Sequence, residues 1–154
     1  MNIKGQGRWL YRAVDKYGDT LDFLLTAKRD ATAAKRFFRN TLNARNSTTP
    51  RVVNADKHAA YPPAFAALQE DKMLPPSTEL RQNKYLNNVI EQDHRFLQRV
   101  IKPGLGFKSF HTARRTIKGY EAMHMLRKGQ VIGLPKGEVL AQLNFMAQVL
   151  GVAA

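Results

Sequence analysis

Two acids in this chain have the type and spacing to do chemistry together. Asp56 closes the short apolar run Arg51-Val-Val-Asn-Ala, and Glu91 lies inside the helical pattern of residues 84–99, with 34 residues between the two. One carboxylate at a strand end and another on a helix suit a divalent-metal site for phosphoryl transfer, because hard cations take carboxylate oxygens. Strand carboxyl ends are also where α/β sheets gather their ligands. Around Glu91, Asn87, His94, Arg95 and Gln98 fall on the same helical face, so the acid heads a polar ridge. Blander readings stay open at this level. Asp56 could simply cap a turn, and Glu91 with Arg95 could be a solvated i,i+4 pair worth a few tenths of a kcal/mol.

Other reactive side chains fit no site pattern. Glu91-x-x-His94 is the half-motif of di-iron helix bundles, which need it twice, and it occurs once. His58, His111 and His124 have no ligand spacing, and no Ser stands in a nucleophile motif. Asp15, Asp19 and Asp22 belong to a turn and its flanks. Gly104-Leu-Gly106 is too short for a phosphate-binding loop. With no cysteine, disulfides and Cys-ligated zinc are excluded.

The elements that must carry the pair come from a chain of 154 residues, long enough for one domain with a real core. Its charge is lopsided: 25 Lys and Arg against 12 Asp and Glu leave +13. Such an excess points to a polyanion, and nucleic acid is the commonest. No apolar run approaches a membrane span and the N-terminus has no apolar signal region, so a cytoplasmic protein without membrane contact is expected.

Residues 8–14 read as a strand, Asp15 to Asp19 as a turn built on Gly18, and Thr20 to Ala27 as the returning strand with Leu21, Phe23, Leu25 and Ala27 on one face. Asp30 should cap a helix from Ala31 to about Ala44, with Ala34, Phe37, Phe38 and Leu42 inward. A third strand, Arg51 to Ala55, follows a polar loop. Pro62-Pro63 open a short helix ending near Glu70, and Glu79 to Tyr85 could be an edge strand. Helices are expected from Asn87 to about Lys102, where Pro103-Gly104 stops the pattern, and from Ser109 to Gly129. A last one spans Lys136 to Ala154, with Val139, Leu143, Met146 and Leu150 on one face. The order implies an α/β protein, a mixed sheet flanked by helices. The hairpin begins almost at Met1, as though an adjacent strand had been cut away.

Several stretches then resemble a known family. Arg12-Ala-Val-Asp-Lys-Tyr-Gly18, Asp22-Phe-Leu-Leu25, Ala34-Lys-Arg-Phe-Phe38, Asn54-Ala-Asp-Lys57 and Tyr85 to Phe96 are similar to the DDE transposases of bacterial insertion sequences, nearest to the IS-six family. Leu105 to Phe110, Ala113 to Thr116 and Glu121 to Gln130 continue the likeness, which covers about Ile3 to Gln130. The resemblance implies a ribonuclease-H-like fold and an Asp, Asp, Glu triad in which Asp56 is the second acid and Glu91 the third. It implies two Mg²⁺ (or Mn²⁺) ions that serve cutting and joining of DNA strands. On this reading residues 1–130 are a partial, integrase-core-like catalytic domain lacking its first strand, and 131–154 a helical tail.

The departures are as informative. The family's first Asp belongs on a strand upstream of Ile3, and Asp15 cannot replace it from a hairpin turn. Where related elements carry Lys or Arg two turns after the Glu, this chain has Gln98. The expectation is therefore a transposase fragment, inactive alone, whose parent works as a homo-oligomer on double-stranded DNA near the bacterial nucleoid. Lys84, Asn87, His94, Arg95, Arg99, Lys108, Arg114, Arg115 and Lys118 are the candidate DNA contacts. The alternative is a non-catalytic DNA-binding remnant or an inhibitor of the full-length enzyme. An RNA-binding role is disfavoured because no aromatic stacking motif of that class is present.

Overall fold

A computed structural model describes residues 1–44, 48–83, 88–102 and 107–152. Within it the chain clusters into two compact units, Met1–Phe110 and His111–Ala154.

The first unit begins with a feature not legible in the sequence, a minimal antiparallel ribbon of β1 (Asn2–Ile3) and β2 (Gln6–Gly7). Then β3 (Trp9–Val14) and β4 (Thr20–Thr26) form the expected hairpin, pairing Trp9 with Thr26 and Arg12 with Phe23. Its turn is held by Asp15, whose Oδ1 accepts from the Tyr17 and Asp19 amides at 2.8 and 2.9 Å. Gly18 takes φ of 90°, where a side chain would clash. The simple alternation expected for β4 does not hold: Leu21 and Ala27 are exposed, while Leu25 and Thr26 are buried. A register shift at Ala13/Val14 disturbs the pleat, and neither face of the ribbon is wholly solvent or core.

The first long helix, α1 (Ala31–Leu42), starts as expected, with Asp30 accepting from the Ala33 amide at 2.8 Å. Its Ala34 and Phe37 are buried with Tyr11 of β3 and Ala60 and Ala64. The latter two belong to or precede α2 (Tyr61–Glu70), which has prolines in its first turn. Phe65 and Leu68 of α2 continue the core to Leu74, with Phe38, Leu42 and Val53 packed alongside. Between these helices runs β5 (Val52–Ala55), joined in parallel by β6 (Glu79–Gln82). The unit then enters α3 (Asn88–Ile101).

Strand and helix order agree with a mixed α/β chain. Among the described residues, however, the strands form three separate two-stranded sheets and not one continuous sheet. The hairpin and the parallel pair are therefore distinct pieces, each with a free edge. The helix-stopping Pro103-Gly104 lies outside the described residues.

Asp22 on β4 is half-buried. Desolvation raises its pKa, against smaller lowering by hydrogen bonds from the Phe23 backbone and the Thr41 hydroxyl. A raised acid binds its proton more tightly folded than unfolded, so its contribution to stability falls as pH climbs through the window just above the ordinary Asp value. Asp22→Asn should raise the melting temperature at pH 7 by roughly 2 °C and give no gain at pH 3, as read by thermal circular dichroism.

The second unit contains α4, which starts at Phe110 and runs to Lys128, and α5 (Val139–Leu150). Between them Gly129, at φ +78°, lets the chain double back to within 2.6 Å of a Cβ position at the Lys136 amide, a space only glycine leaves open. On α5 the apolar residues singled out from the sequence do not face a core. Val139, Leu143 and Leu150 are exposed and Met146 is half-buried, while the fully buried residue is Gln142, which donates to the Pro135 carbonyl at 3.1 Å. The helix also starts later than the pattern suggests, since Pro135 and Gly137 hold residues 135–138 in turns.

Candidate functional site

Asp56 stands immediately beyond β5 and Glu91 in the first turn of α3. Both line one cavity of about 1470 Å³ in the first unit.

Asp56 is engaged on both oxygens. Oδ2 accepts from Arg29 Nη2 at 2.5 Å, and Oδ1 accepts from the His58 amide at 3.0 Å, the short Asx turn that starts the approach to α2. From β6, Gln82 Nε2 donates to the carbonyls of Asp56 and His58 at 3.0 and 3.2 Å, tying the strand end to its parallel neighbour. Arg29 is itself held, its guanidinium 5.5 Å over the Trp9 ring and hydrogen-bonded to Tyr61. Burial alone would lower the Arg29 pKa, but the bonds to Tyr61 and Asp56 win and raise it, so it stays a cation. Burial likewise pushes up the Tyr61 and Tyr11 hydroxyls, keeping both protonated donors at neutral pH. The two rings meet edge-on at 6.3 Å.

Glu91 is exposed, and its helix is fixed by a neighbour. Asp93 Oδ2 lies 2.7 Å from Arg12 Nη2 of β3, with side chains 6% and 0% exposed. The buried pair Arg12–Asp93 fixes the rotation of α3, and at that rotation Glu91 lies on the cavity with Ile90, His94, Arg95 and the buried Leu97. Neither Arg29–Asp56 nor Arg12–Asp93 was foreseen, because residues 27 or 81 positions apart give no local sequence signal.

Of the candidate DNA contacts, Arg95, Arg99 and Lys108 are exposed in the first unit and His94 is half-buried. Arg114, Arg115 and Lys118 are exposed on α4, at spacings that share one helical face. Lys84 and Asn87 lie outside the described residues. Asp15, the remaining acid on the cavity, is committed to its turn.

As a set, Asp56 and Glu91 match a divalent cation in donor type, hard carboxylate oxygens, and one or two such acids suffice for Mg²⁺ when water and phosphate complete the shell. They do not make a finished site: among the described residues no group of three His, Cys, Asp or Glu is placed to hold a metal, and Arg29 occupies one Asp56 oxygen.

Comparison with known proteins gives this geometry its context. The profile of the family described as DDE domain matches residues 1–130. The chain is 36% identical over 128 residues to the transposase for insertion sequence-like element IS431mec of Staphylococcus aureus, covering 83% of this chain and 54% of that protein. The same figures hold for the Staphylococcus aureus transposase for insertion sequence element IS257 in transposon Tn4003. An uncharacterised protein of Yersinia pseudotuberculosis is 36% identical over 72 residues, 45% of this chain and 67% of its own. No solved structure matches. The chain belongs to the DDE-domain family of insertion-sequence transposases, in the IS-six group. It spans about half the length of the curated relatives it matches. Among the described residues no helix is long and apolar enough to cross a membrane.

Proposed function

We propose that this chain carries two of the three acids of a DDE transposase, Asp56 and Glu91, together with part of its DNA-contacting surface. The parent activity is divalent-metal-dependent cleavage and transfer of DNA strands. The observation that supports this most is that the two acids, one at a strand end and one on a helix, line the same cavity. The hairpin β3–β4 and the pair β5–β6 then belong to a single ribonuclease-H-like sheet, and the complete enzyme works on double-stranded DNA as an oligomer at the nucleoid.

In this reading Asp56 and Glu91 hold Mg²⁺, which when bound polarises a phosphodiester and lowers the pKa of the attacking water or hydroxyl. Arg29 offsets the charge of Asp56 through its bond to Oδ2, and Trp9 and Tyr61 hold its guanidinium beside the site. Arg95 and Lys108, both exposed, supply positive charge for phosphates.

A polypeptide of these 154 residues should give no nicking or strand transfer on supercoiled or oligonucleotide DNA with Mg²⁺ or Mn²⁺. Two acids, one of them bridged to arginine, are too few to offset the charge of two ions. Turnover that Asp56→Ala or Glu91→Ala abolishes would overturn the inactivity. The second reading, a DNA-binding remnant or inhibitor of the full-length enzyme, is favoured by the excess of 25 Lys and Arg over 12 Asp and Glu, because binding phosphates needs no catalytic acid.

A further inference from the structure

The chain has a single tryptophan, and it stands on the cavity that Asp56 and Glu91 line. Trp9 opens β3, where its backbone is held by pairing with Thr26 of β4. The residue is 47% exposed although the Arg29 guanidinium lies 5.5 Å over its ring. A lone apolar side chain on an open surface needs no explanation. A half-exposed indole on the wall of a cavity is different, because a ring of that size gains most from being covered.

The surroundings say what kind of molecule covers it. Arg29 bonds Asp56 Oδ2 at 2.5 Å, so one guanidinium separates the aromatic ring from the carboxylate. Arg8, Lys16, Arg51 and Lys102 line the same cavity, which favours an anion there. Tyr11 is two residues further along β3 and therefore on the same face as Trp9. It is 5% exposed, and its hydroxyl has no hydrogen-bond partner among the described residues. Buried hydroxyls without partners are rare, so this one is a second sign that a polar molecule occupies the space. A flat apolar ring, flanking cations and an unused hydroxyl together fit a nucleotide, which brings a base, a phosphate and sugar oxygens.

We infer that Trp9, backed by Arg29, is a stacking site for one unpaired base, adjacent to the phosphate on which Asp56 and Glu91 act. The inference rests on the proposed reading of this chain as DNA-binding, and it adds which form of DNA the cavity takes. In an intact duplex the neighbouring bases cover both faces of each base, so the indole can take only a base that has left the stack. A mismatched end supplies such a base at little cost, whereas a fully paired end must first be opened. Any of the four bases will serve, because each has a π-face. The site selects structure, not sequence.

The test uses Trp9 as its own reporter, since no second tryptophan contributes to the emission of the 154-residue chain. Two duplexes are compared, alike except that the terminal pairs of one are mismatched. The mismatched duplex should bind about tenfold more tightly, by anisotropy of labelled DNA, and should quench the indole emission about twofold. The paired duplex, at saturation, should leave the emission nearly unchanged. Trp9→Ala should bring the ratio of the two affinities to about one, and Trp9→Phe, which keeps a stacking ring, should retain most of it. The emission measurement needs no variant, so it decides the matter even if Trp9→Ala does not fold. Equal affinity for the two duplexes, with emission unchanged by either, would overturn the inference and leave DNA binding in place. No binding of either duplex at low salt would overturn DNA binding itself, and the stacking site with it.

Discussion

Replacing Asp93 with alanine should cost about 3–5 kcal/mol of folding stability, because it strands the Arg12 guanidinium in the interior without its carboxylate. Arg12 is wholly buried and the pair is 2.7 Å apart. A domain of this kind has only ~5–15 kcal/mol in all, so the loss takes a large part of it. The urea midpoint should drop by roughly 2 M. The double variant Arg12→Met with Asp93→Leu removes both charges and fills the space. It should recover most of the loss, since two desolvated ions are replaced by apolar contact. An Asp93→Ala midpoint unchanged from that of the parent chain would show that this pair does not hold α3 to the hairpin. The consequence reaches the site: Asp93 fixes the rotation of α3, and Glu91 two residues earlier faces the cavity only while that rotation is kept.

Affinity for double-stranded DNA should fall about a thousandfold between 50 and 200 mM salt, with little sequence preference. The estimate takes about six phosphate contacts, giving a log–log slope near −5. Six candidates are exposed and described: Arg95, Arg99, Lys108, Arg114, Arg115 and Lys118. Changing Arg114, Arg115 and Lys118 to alanine should flatten the slope by about 2.7, as three released counterions are lost. A fluorescence-anisotropy titration at several salt concentrations measures both numbers. A flat salt response would remove DNA from the reading, and an unchanged slope in the triple variant would move the contact surface away from α4.

Much of the local structure was legible because local physics sets it. Asp30 caps α1 since a short acceptor before an apolar-periodic run has few better uses. The hairpin turn follows from Asp15 and Gly18, whose bonds and φ are decided within five residues. The parallel edge strand at Glu79–Gln82 was foreseen as an edge, though not its direction. Failures came where burial depends on what lies opposite. Leu21 and Ala27 have the right period for a buried face but meet solvent. The apolar residues of α5 repeat at helical spacing, yet Gln142 is the one buried.

The sequence by itself determined the family, the two acids and their spacing, the positive charge, and the positions of most helices and strands. Each of these is a property of neighbouring residues or of the composition as a whole. Only the tertiary structure decided that Arg29 holds Asp56, that Arg12 and Asp93 orient the helix bearing Glu91, and that residues of β3, β5 and α3 line one cavity. Those facts join residues far apart in the chain. Their energy comes from desolvation and close contact, which exist only once the elements have packed.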